Sequence, residues 1–529
     1  MSNDLHVYDT TLRDGAQGEG LSFTVQDKLA VARHLDDLGV GFIEGGWPGA
    51  MPKDAEFFRR ARAELDLRHA VLSAFGATRK PGARAADDPQ VAALRESGAE
   101  VVCVVAKAHA RHVTDALRTS LEENLAMVRD TVEHLRAEGR RVFVDAEHFF
   151  DGYALDPSYS LEVVRVAAEA GAEVVVLCDT NGGMLPTRLA EVVHEVLEGS
   201  KTRLGIHCHD DAGVAVANTL AAVEAGVSHV QGTANGYGER CGNANLFTVV
   251  AGLELKMGRA VLPSGRLVEL ARISHAVAEV ANMAPVAAQP YVGSSAFAHK
   301  AGLHASAVKV DPALYQHLEP AAVGNDRRML VSEMAGRASV ELKGAELGLS
   351  AEPSQLTRVV ERVKELEAVG YSFEAADASF ELLFRAEVDG TPVRYFELES
   401  WRVIVDRLAD GTVVSEATVR LQAKGERVVA TGEGNGPVNA LDHALRLAVE
   451  QTYPELAALE LVDFKVRILA GAHGTDAVTR VLVQTSDGER EWSTVGVHEN
   501  VVAASWHALE EAYAFGLLRA GVLPLQSPL

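Results

Sequence analysis

Residues 174–209 of the chain read VVVLCDTNGGMLPTRLAEVVHEVLEGSKTRLGIHCH. Two short runs rich in aliphatic residues, Val174–Asp179 and Leu204–His209, enclose a stretch with the apolar spacing of an amphipathic helix. Strands that alternate with helices pair in parallel, because the helical crossover returns the next strand in the same direction. This stretch therefore predicts one strand-helix-strand unit of a parallel sheet.

The same alternation extends from residue 5 to about residue 235 and gives eight strand-helix units. Helices such as Val25–Leu38 and Leu121–Ala137 separate the strands. Eight units in about 260 residues predict an α/β fold of the (β/α)8 TIM barrel type, with its chemistry at the carboxyl ends of the strands. A doubly wound sheet is the weaker alternative. The predicted strands are His6–Asp9, Phe42–Gly45, Ala70–Ala74, Val101–Ala106, Val142–Glu147, Val174–Asp179, Leu204–His209 and His229–Gly232.

The bulk composition restricts the class of protein. A chain of 529 residues exceeds one hydrophobic core, so about two to four domains are expected. The formal net charge of −24 opposes nucleic acid and anionic membranes as partners. No apolar run reaches the length of a membrane span, and the opening MSNDLHVYDTTL lacks the features of a signal sequence. We therefore expect a cytoplasmic location.

The four cysteines are widely spaced and form no CxxC motif. This spacing argues against a thiolate zinc site and against a disulfide framework. We expect Cys103, Cys178, Cys208 and Cys241 to be small residues of the core.

Charged residues meet at the predicted ends of the first and seventh strands. The motif DTTLRDGAQGEG places Arg13 and Asp14 beyond the first strand, and the seventh strand ends with His207 and His209. Residues i and i+2 of a strand face the same side, so the two imidazoles point together. With Asp14 they form a two-histidine, one-carboxylate metal site that leaves positions open for a chelating substrate. Buried core histidines and a simple Arg-Asp ion pair at a helix start are the alternatives.

Beyond the barrel the composition changes twice. Residues 287–338 are rich in Gly, Pro and His, and from about Ser372 the sequence predicts further strands. The triplet His-Ala-Leu at 443–445 recurs at 507–509, each time on a predicted helix that follows strands and a glycine-containing turn. We therefore expect a duplicated unit. The glycines of GEGNGP lack the spacing of a dinucleotide fingerprint, which argues against NAD binding.

Several motifs resemble the α-isopropylmalate synthase and homocitrate synthase family of metal-dependent Claisen-type acyltransferases. They are DTTLRDG, IHCHDDAGVAVAN, NGYGERCGNANL, FAHKAGLHAS and GNGPVNALDHAL, and they cover nearly the whole chain. Within that family RDGAQGEG, followed by IEGGWPGAMPKD, is similar to the citramalate synthase branch. The resemblance implies condensation of acetyl-CoA with pyruvate, giving citramalate and CoA for isoleucine synthesis.

The resemblance also implies a domain organisation: a catalytic barrel at 1–265, a helical linker or lid subdomain at 266–371, and a duplicated α+β regulatory domain at 372–529. In the barrel, a divalent ion (Mg, Mn, Zn or Co) on Asp14, His207 and His209 would gain Asn243 as a neighbour. Arg13, which is always cationic, would stabilise the oxyanion that develops during the reaction.

The remaining site residues are implied by motif matches alone. Thr180 would bind the carboxylate of the keto acid, and Glu147 would lie beside the substrate. His304, in FAHKAGLHAS, matches the base that removes a proton from acetyl-CoA, and Glu239 matches the carboxylate of the same network. Tyr315 is a weaker match near the CoA end.

The resemblance further implies a homodimer in which the linker of one chain closes the site of the other, and a regulatory domain that binds isoleucine, with leucine as the alternative. Three other functions stay open: a 2-isopropylmalate or homocitrate synthase with a different 2-oxo acid, a lyase of the same barrel type, and a non-catalytic amino-acid sensor. Only a few side chains of the pocket distinguish keto acids that differ by one methylene, so no motif decides between the synthases.

Overall fold

The computed structural model describes residues 5–200, 202–469 and 477–525, and the chain divides into two compact units. The first holds the chain up to Phe297 together with Glu319–Asp326. The second holds Ala298–Leu318 and the chain from Arg327 onward. The predicted division into domains at 1–265, 266–371 and 372–529 follows other boundaries than these two units and stays a prediction.

The first unit contains a closed barrel of eight parallel strands, which confirms the predicted fold. Strand β1 pairs with both β2 and β8, so the sheet has no free edge. The strand bounds differ from the predicted ones only at the ends, most clearly in β3. The strands are β1 (His6–Asp9), β2 (Phe42–Gly46), β3 (Val71–Ala77), β4 (Val101–Lys107), β5 (Arg141–Glu147), β6 (Val174–Asp179), β7 (Arg203–Cys208) and β8 (His229–Gly232).

Helices of the first unit begin and end at residues suited to those positions. In α1, Thr24 and Asp27 form a reciprocal capping box, and Gly39 ends the helix with a left-handed φ of 98°.

Within the described ranges, every helix of the chain is too short or too polar to span a bilayer. The helices are α1 (Val25–Leu38), α2 (Pro52–Glu64), α3 (Pro89–Glu96), α4 (Leu121–Ala137), α5 (Phe149–Leu155), α6 (Pro157–Ala170), α7 (Pro186–Gly199), α8 (Ala215–Ala225), α9 (Leu246–Leu255) and α10 (Leu270–Val280).

The interior of the barrel is filled by side chains. Tyr8, Phe42, Phe75 and Phe143 belong to one buried cluster, together with smaller residues of β4 and β6. All six residues of β6 are buried, because both faces of a parallel barrel strand are covered. The barrel is therefore a packed core whose functional groups are confined to one end.

The cysteine prediction holds for three of the four residues. Cys103, Cys178 and Cys208 are buried on barrel strands, whereas Cys241 is exposed. The expectation for Cys241 was wrong because it lies in the loop after β8, just before Gly242 with its left-handed φ of 90°.

The second unit begins with short strands and four helices. Two-residue strands β9 (Ala298–His299) and β10 (Arg328–Met329) pair in parallel. The helices of this segment are α11 (Gly302–Val310), α12 (Arg337–Glu346), α13 (Pro353–Ala368) and α14 (Asp377–Asp389).

The rest of the second unit is a duplicated three-strand, one-helix module, as predicted. Each copy is an antiparallel sheet covered by one helix. The helix backbone approaches the sheet so closely that one sheet position in each copy has room only for glycine. A Cβ on Gly432 would lie 2.4 Å from the backbone nitrogen of Ala444, and one on Gly496 would lie 2.0 Å from the carbonyl oxygen of Ala504. The modules are β11 (Phe396–Arg407), β12 (Val413–Ala423), β13 (Glu426–Gly434) and α15 (Pro437–Val449), then β14 (Glu460–Ile468), β15 (Thr479–Ser486), β16 (Glu491–His498) and α16 (Val501–Arg519).

Candidate metal centre and active site

Three predicted metal ligands come together at the carboxyl end of the barrel. His207 Nε2 lies 3.1 Å from Asp14 Oδ2, and His209 Nε2 lies 3.8 Å from the same oxygen. One ligand atom from each of the three residues lies within 4.8 Å of the others, and all three residues are buried. Among the described residues no other group of His, Cys, Asp and Glu meets this spacing.

Local structure explains why these side chains meet. His207 lies on β7 and His209 directly follows it, so the two rings project to the same side while Cys208 is buried on the other. Asp14 lies in a tight turn after β1, where its backbone N–H donates to the carbonyl of Thr10 at 2.8 Å. The neighbouring strand ends thus bring one carboxylate to two imidazoles.

Burial and charge set the protonation of this cluster. Burial alone would raise the pKa of Asp14, but Arg13 and His207 outweigh it and hold that pKa well below its usual range. Burial, with the neighbouring His207, lowers the pKa of His209 to about 4. At neutral pH, Asp14 is therefore an anion and His209 a neutral imidazole. These are the forms that bind a divalent cation.

Asn243 adds an oxygen to this donor set. It lies opposite His209 in an isolated β-bridge, and its Nδ2 donates to the carbonyl of Tyr237 at 3.1 Å. Its Oδ1 is buried and has no hydrogen-bond partner in the part of the chain that the structure describes. An unpaired buried carbonyl oxygen is costly unless a ligand satisfies it. The residues present therefore fit a divalent metal ion.

Arg13 is fixed beside the cluster from three directions. Its Nε donates to Glu44 Oε2 at 2.6 Å, and its guanidinium carbon lies 3.9 Å from the ring centre of Phe75. Its Nη1 lies 3.6 Å from Asp14 Oδ2. Glu44 is held in turn by the hydroxyl of Tyr8, which donates to Oε1 at 2.8 Å. A preorganised cation of this kind suits stabilisation of a developing negative charge.

Glu147 and Thr180 lie at the same end of the barrel. Glu147 forms an ion pair with Lys107, its register partner on β4. The Thr180 hydroxyl accepts a hydrogen bond from the backbone N–H of His148 at 2.9 Å. The backbone carbonyl of Thr180 accepts one from the Arg240 side chain at 2.7 Å. The strand ends position both side chains, while their contacts with a substrate stay a prediction.

The other predicted residues lie outside this buried cluster. Glu239 is 61% exposed and lies 3.6 Å from Nη1 of Arg240, in the loop after β8. His304 and Tyr315 belong to the second unit, where their ring centres lie 4.2 Å apart and tilted by 32°. The structure therefore brings the last two together, and the catalytic roles of all three stay predictions.

Sequence reasoning missed three residues that support the cluster. Tyr8 and Phe75 hold the Glu44 and Arg13 side chains, and Gln231 hydrogen-bonds to His207. Tyr8 and Phe75 look like ordinary core aromatics in the sequence. Gln231 could have been found, because a polar residue inside a predicted buried strand indicates a hydrogen-bond partner in the barrel.

Comparison with protein families covers the chain in three parts. A model described as HMGL-like matches residues 4–277, and one described as homocitrate synthase post-HMGL domain-like matches residues 291–370. A model of the LeuA allosteric (dimerisation) domain matches residues 374–517.

Individual relatives align over almost their full length. The chain is 68% identical to the (R)-citramalate synthase of Streptomyces coelicolor over 99% of both chains. It is 47% identical to that of Aquifex aeolicus, over 98% of this chain and 99% of the relative. It is 34% identical to a probable 2-isopropylmalate synthase of Methanopyrus kandleri, over 96% of this chain and 97% of the relative.

Proposed function

The chain belongs to the HMGL-like family and, within it, to the (R)-citramalate synthases, and we propose that it condenses acetyl-CoA with pyruvate to give (R)-citramalate and CoA for isoleucine biosynthesis. It is an enzyme of the acyltransferase type. The observation that carries the proposal is the near-complete alignment with relatives of this name, at higher identity than with the probable isopropylmalate synthase. The buried cluster of Asp14, His207 and His209 supports it independently.

Asp14, His207, His209 and Asn243 would hold a divalent cation. Such a mixed nitrogen and oxygen set suits Mg, Mn, Zn or Co. When bound, the cation supplies a Lewis acid for the ketone of the keto acid.

The chain's own residues would handle charge and position. A bond forms between the methyl carbon of acetyl-CoA and the keto carbon of pyruvate, and negative charge develops on the keto oxygen. Arg13 stabilises that charge because it cannot lose its proton and is fixed by Glu44 and Phe75. Thr180 donates its hydroxyl to the carboxylate of pyruvate, and Glu147 lies beside the substrate.

The methyl proton of acetyl-CoA must go to a base. His304 would accept it, since an imidazole can be poised near neutral pH, with Glu239 in the same network. Tyr315, whose ring contacts that of His304, would lie toward CoA. The charged keto oxygen takes up a proton from water and becomes the hydroxyl of citramalate. A second water cleaves the thioester, which releases CoA and leaves the new carboxylate.

Pyruvate is expected to be the preferred acceptor. One methylene in an apolar pocket changes specificity by about 10- to 200-fold, so pyruvate should exceed 2-oxobutyrate by at least about tenfold in kcat/KM. The test is a CoA-release assay with acetyl-CoA and a panel of pyruvate, 2-oxobutyrate, 2-oxoisovalerate and 2-oxoglutarate. A larger kcat/KM for 2-oxoisovalerate or 2-oxoglutarate would show that the enzyme is an isopropylmalate or homocitrate synthase.

The regulatory domain at 372–529 is expected to bind an effector, because residues 374–517 match an allosteric domain. As the end product of the proposed pathway, isoleucine is the expected effector, with leucine as the alternative. Effector and substrate binding are coupled reciprocally, typically by about 5- to 150-fold, so pyruvate should weaken isoleucine binding by the factor by which isoleucine weakens pyruvate binding. Calorimetry with isoleucine, leucine and valine, each with and without pyruvate, measures both. Absence of binding by all three amino acids would refute this regulation.

A homodimer and a cytoplasmic location complete the proposal. The dimer is supported by the dimerisation domain matched at residues 374–517. The acidic balance of the chain, with a formal charge of −24, is compatible with a protein that avoids membranes and nucleic acid.

A further inference from the structure

Inside the barrel, one buried amide joins a predicted metal ligand to a buried carboxyl group. Gln231 lies on β8 as the register partner of His207 on β7, and it is fully buried. Its Oε1 lies 2.9 Å from Nδ1 of His207. Its Nε2 donates to Oδ1 of Asp145 at 3.1 Å. The amide therefore bridges β5 and β7.

The contact with Asp145 fixes which end of the amide faces the histidine. In the structure the NH₂ group of Gln231 donates to Oδ1 of Asp145, the arrangement that an acceptor carboxylate oxygen requires. The amide oxygen is then directed at His207, and an amide oxygen can only accept a hydrogen bond. It follows that Nδ1 of His207 carries the hydrogen of this contact.

With Nδ1 engaged, Nε2 is the ring nitrogen that faces the cluster. This is the atom 3.1 Å from Asp14 Oδ2. The two ring nitrogens of a histidine are distinct, and the hydrogen bond made by one decides which is available to a metal. Without an acceptor at Nδ1, His207 would either bury an unpaired N–H or turn its ring, and both are unfavourable in a packed core.

We propose that Gln231 is a positioning residue that holds His207 with Nε2 as the metal-binding nitrogen, and that Asp145 orients Gln231. This inference rests on the proposed metal site, since it assumes that His207 binds the cation. It assigns to Gln231 no contact with substrate.

The test is calorimetric titration of the metal-free, full-length protein with Mn²⁺. Gln231→Met keeps the side-chain length but removes the acceptor, and it is expected to weaken Mn²⁺ binding by about 10- to 100-fold. Gln231→Glu restores an acceptor for Nδ1–H but loses the donor to Asp145, so it is expected to recover only part of that loss. The matched control is Asn218→Leu, which removes a buried amide on α8 that donates to the carbonyl of Met184. Its Mn²⁺ affinity should equal that of the wild type.

The outcomes separate this inference from the proposed function. Wild-type affinity in a folded Gln231→Met protein, judged by circular dichroism, would overturn the positioning role and leave the metal site standing. Mn²⁺ binding by the wild type that His207→Ala does not change would instead overturn the metal site, and with it this inference. Where Gln231→Met does not fold, Asp145→Leu frees the amide while keeping Gln231. It should also weaken Mn²⁺ binding, and undiminished binding would overturn the inference.

Discussion

Replacing His207 with alanine is expected to abolish metal binding and turnover together. The imidazole is one of two nitrogen donors around a buried carboxylate, and alanine supplies no ligand atom in its place. Loss of a Lewis acid removes several kcal/mol of transition-state stabilisation. This corresponds to a fall in kcat/KM of about 1000-fold or more. Elemental analysis of the purified protein and the CoA-release assay measure the two effects on the same sample.

His34→Ala provides the control for the loss of a histidine, because His34 lies on α1, outside the cluster of Asp14, His207 and His209. It should retain metal and turnover. Circular dichroism establishes that the His207→Ala protein is folded. If wild-type protein stripped of metal by a chelator kept full activity, the cation would have no part in the reaction and the role proposed for His207 would be wrong.

The barrel was predictable because each strand and helix has a distinct period in the sequence. The pair His207 and His209 was predictable for the same reason, since a period of two fixes their common direction once β7 is recognised. The contact between His207 and Gln231 could not be predicted in this way. It depends on the register of β7 against β8, which closure of the barrel sets and no local pattern encodes.

The position of the Glu239 side chain could not be predicted from its motif. The motif NGYGERCGNANL gives the order of residues, but the backbone between Gly238, with φ of 154°, and Arg240, with φ of 56°, decides where the carboxylate points. The result is an exposed side chain near Arg240. Asn243, five residues from Gly238 in the same motif, is instead turned inward by its bridge to His209.

The second unit contains a feature that motivates the last prediction. Around His304, on α11 and the turn that follows, apolar side chains are left open to solvent: Leu303 is 75% exposed, Val310 82% and Leu314 59%. Exposed apolar side chains that form a contiguous patch are typical of protein–protein contacts. We therefore infer that the surface around the predicted base contacts a second chain.

We therefore predict that His304 and Tyr315 of one chain complete the barrel site of its partner in a homodimer. Two inactive proteins, Asp14→Asn and His304→Ala, should regain activity when mixed and allowed to exchange subunits. In a heterodimer, the barrel with intact Asp14 meets the chain with intact His304, so one of its two sites is whole. Random exchange makes about half of the dimers mixed, which gives roughly a quarter of wild-type activity.

The matched control is a mixture of Asp14→Asn with His207→Ala. Both changes lie on the barrel, so every site in their heterodimer is defective in one ligand, and no activity should return. Subunit exchange is established beforehand by native mass spectrometry with chains of different tag mass. If exchange is complete and the Asp14→Asn with His304→Ala mixture stays inactive, His304 serves its own chain, because a base acting in cis would leave each chain of the mixed dimer with one defect.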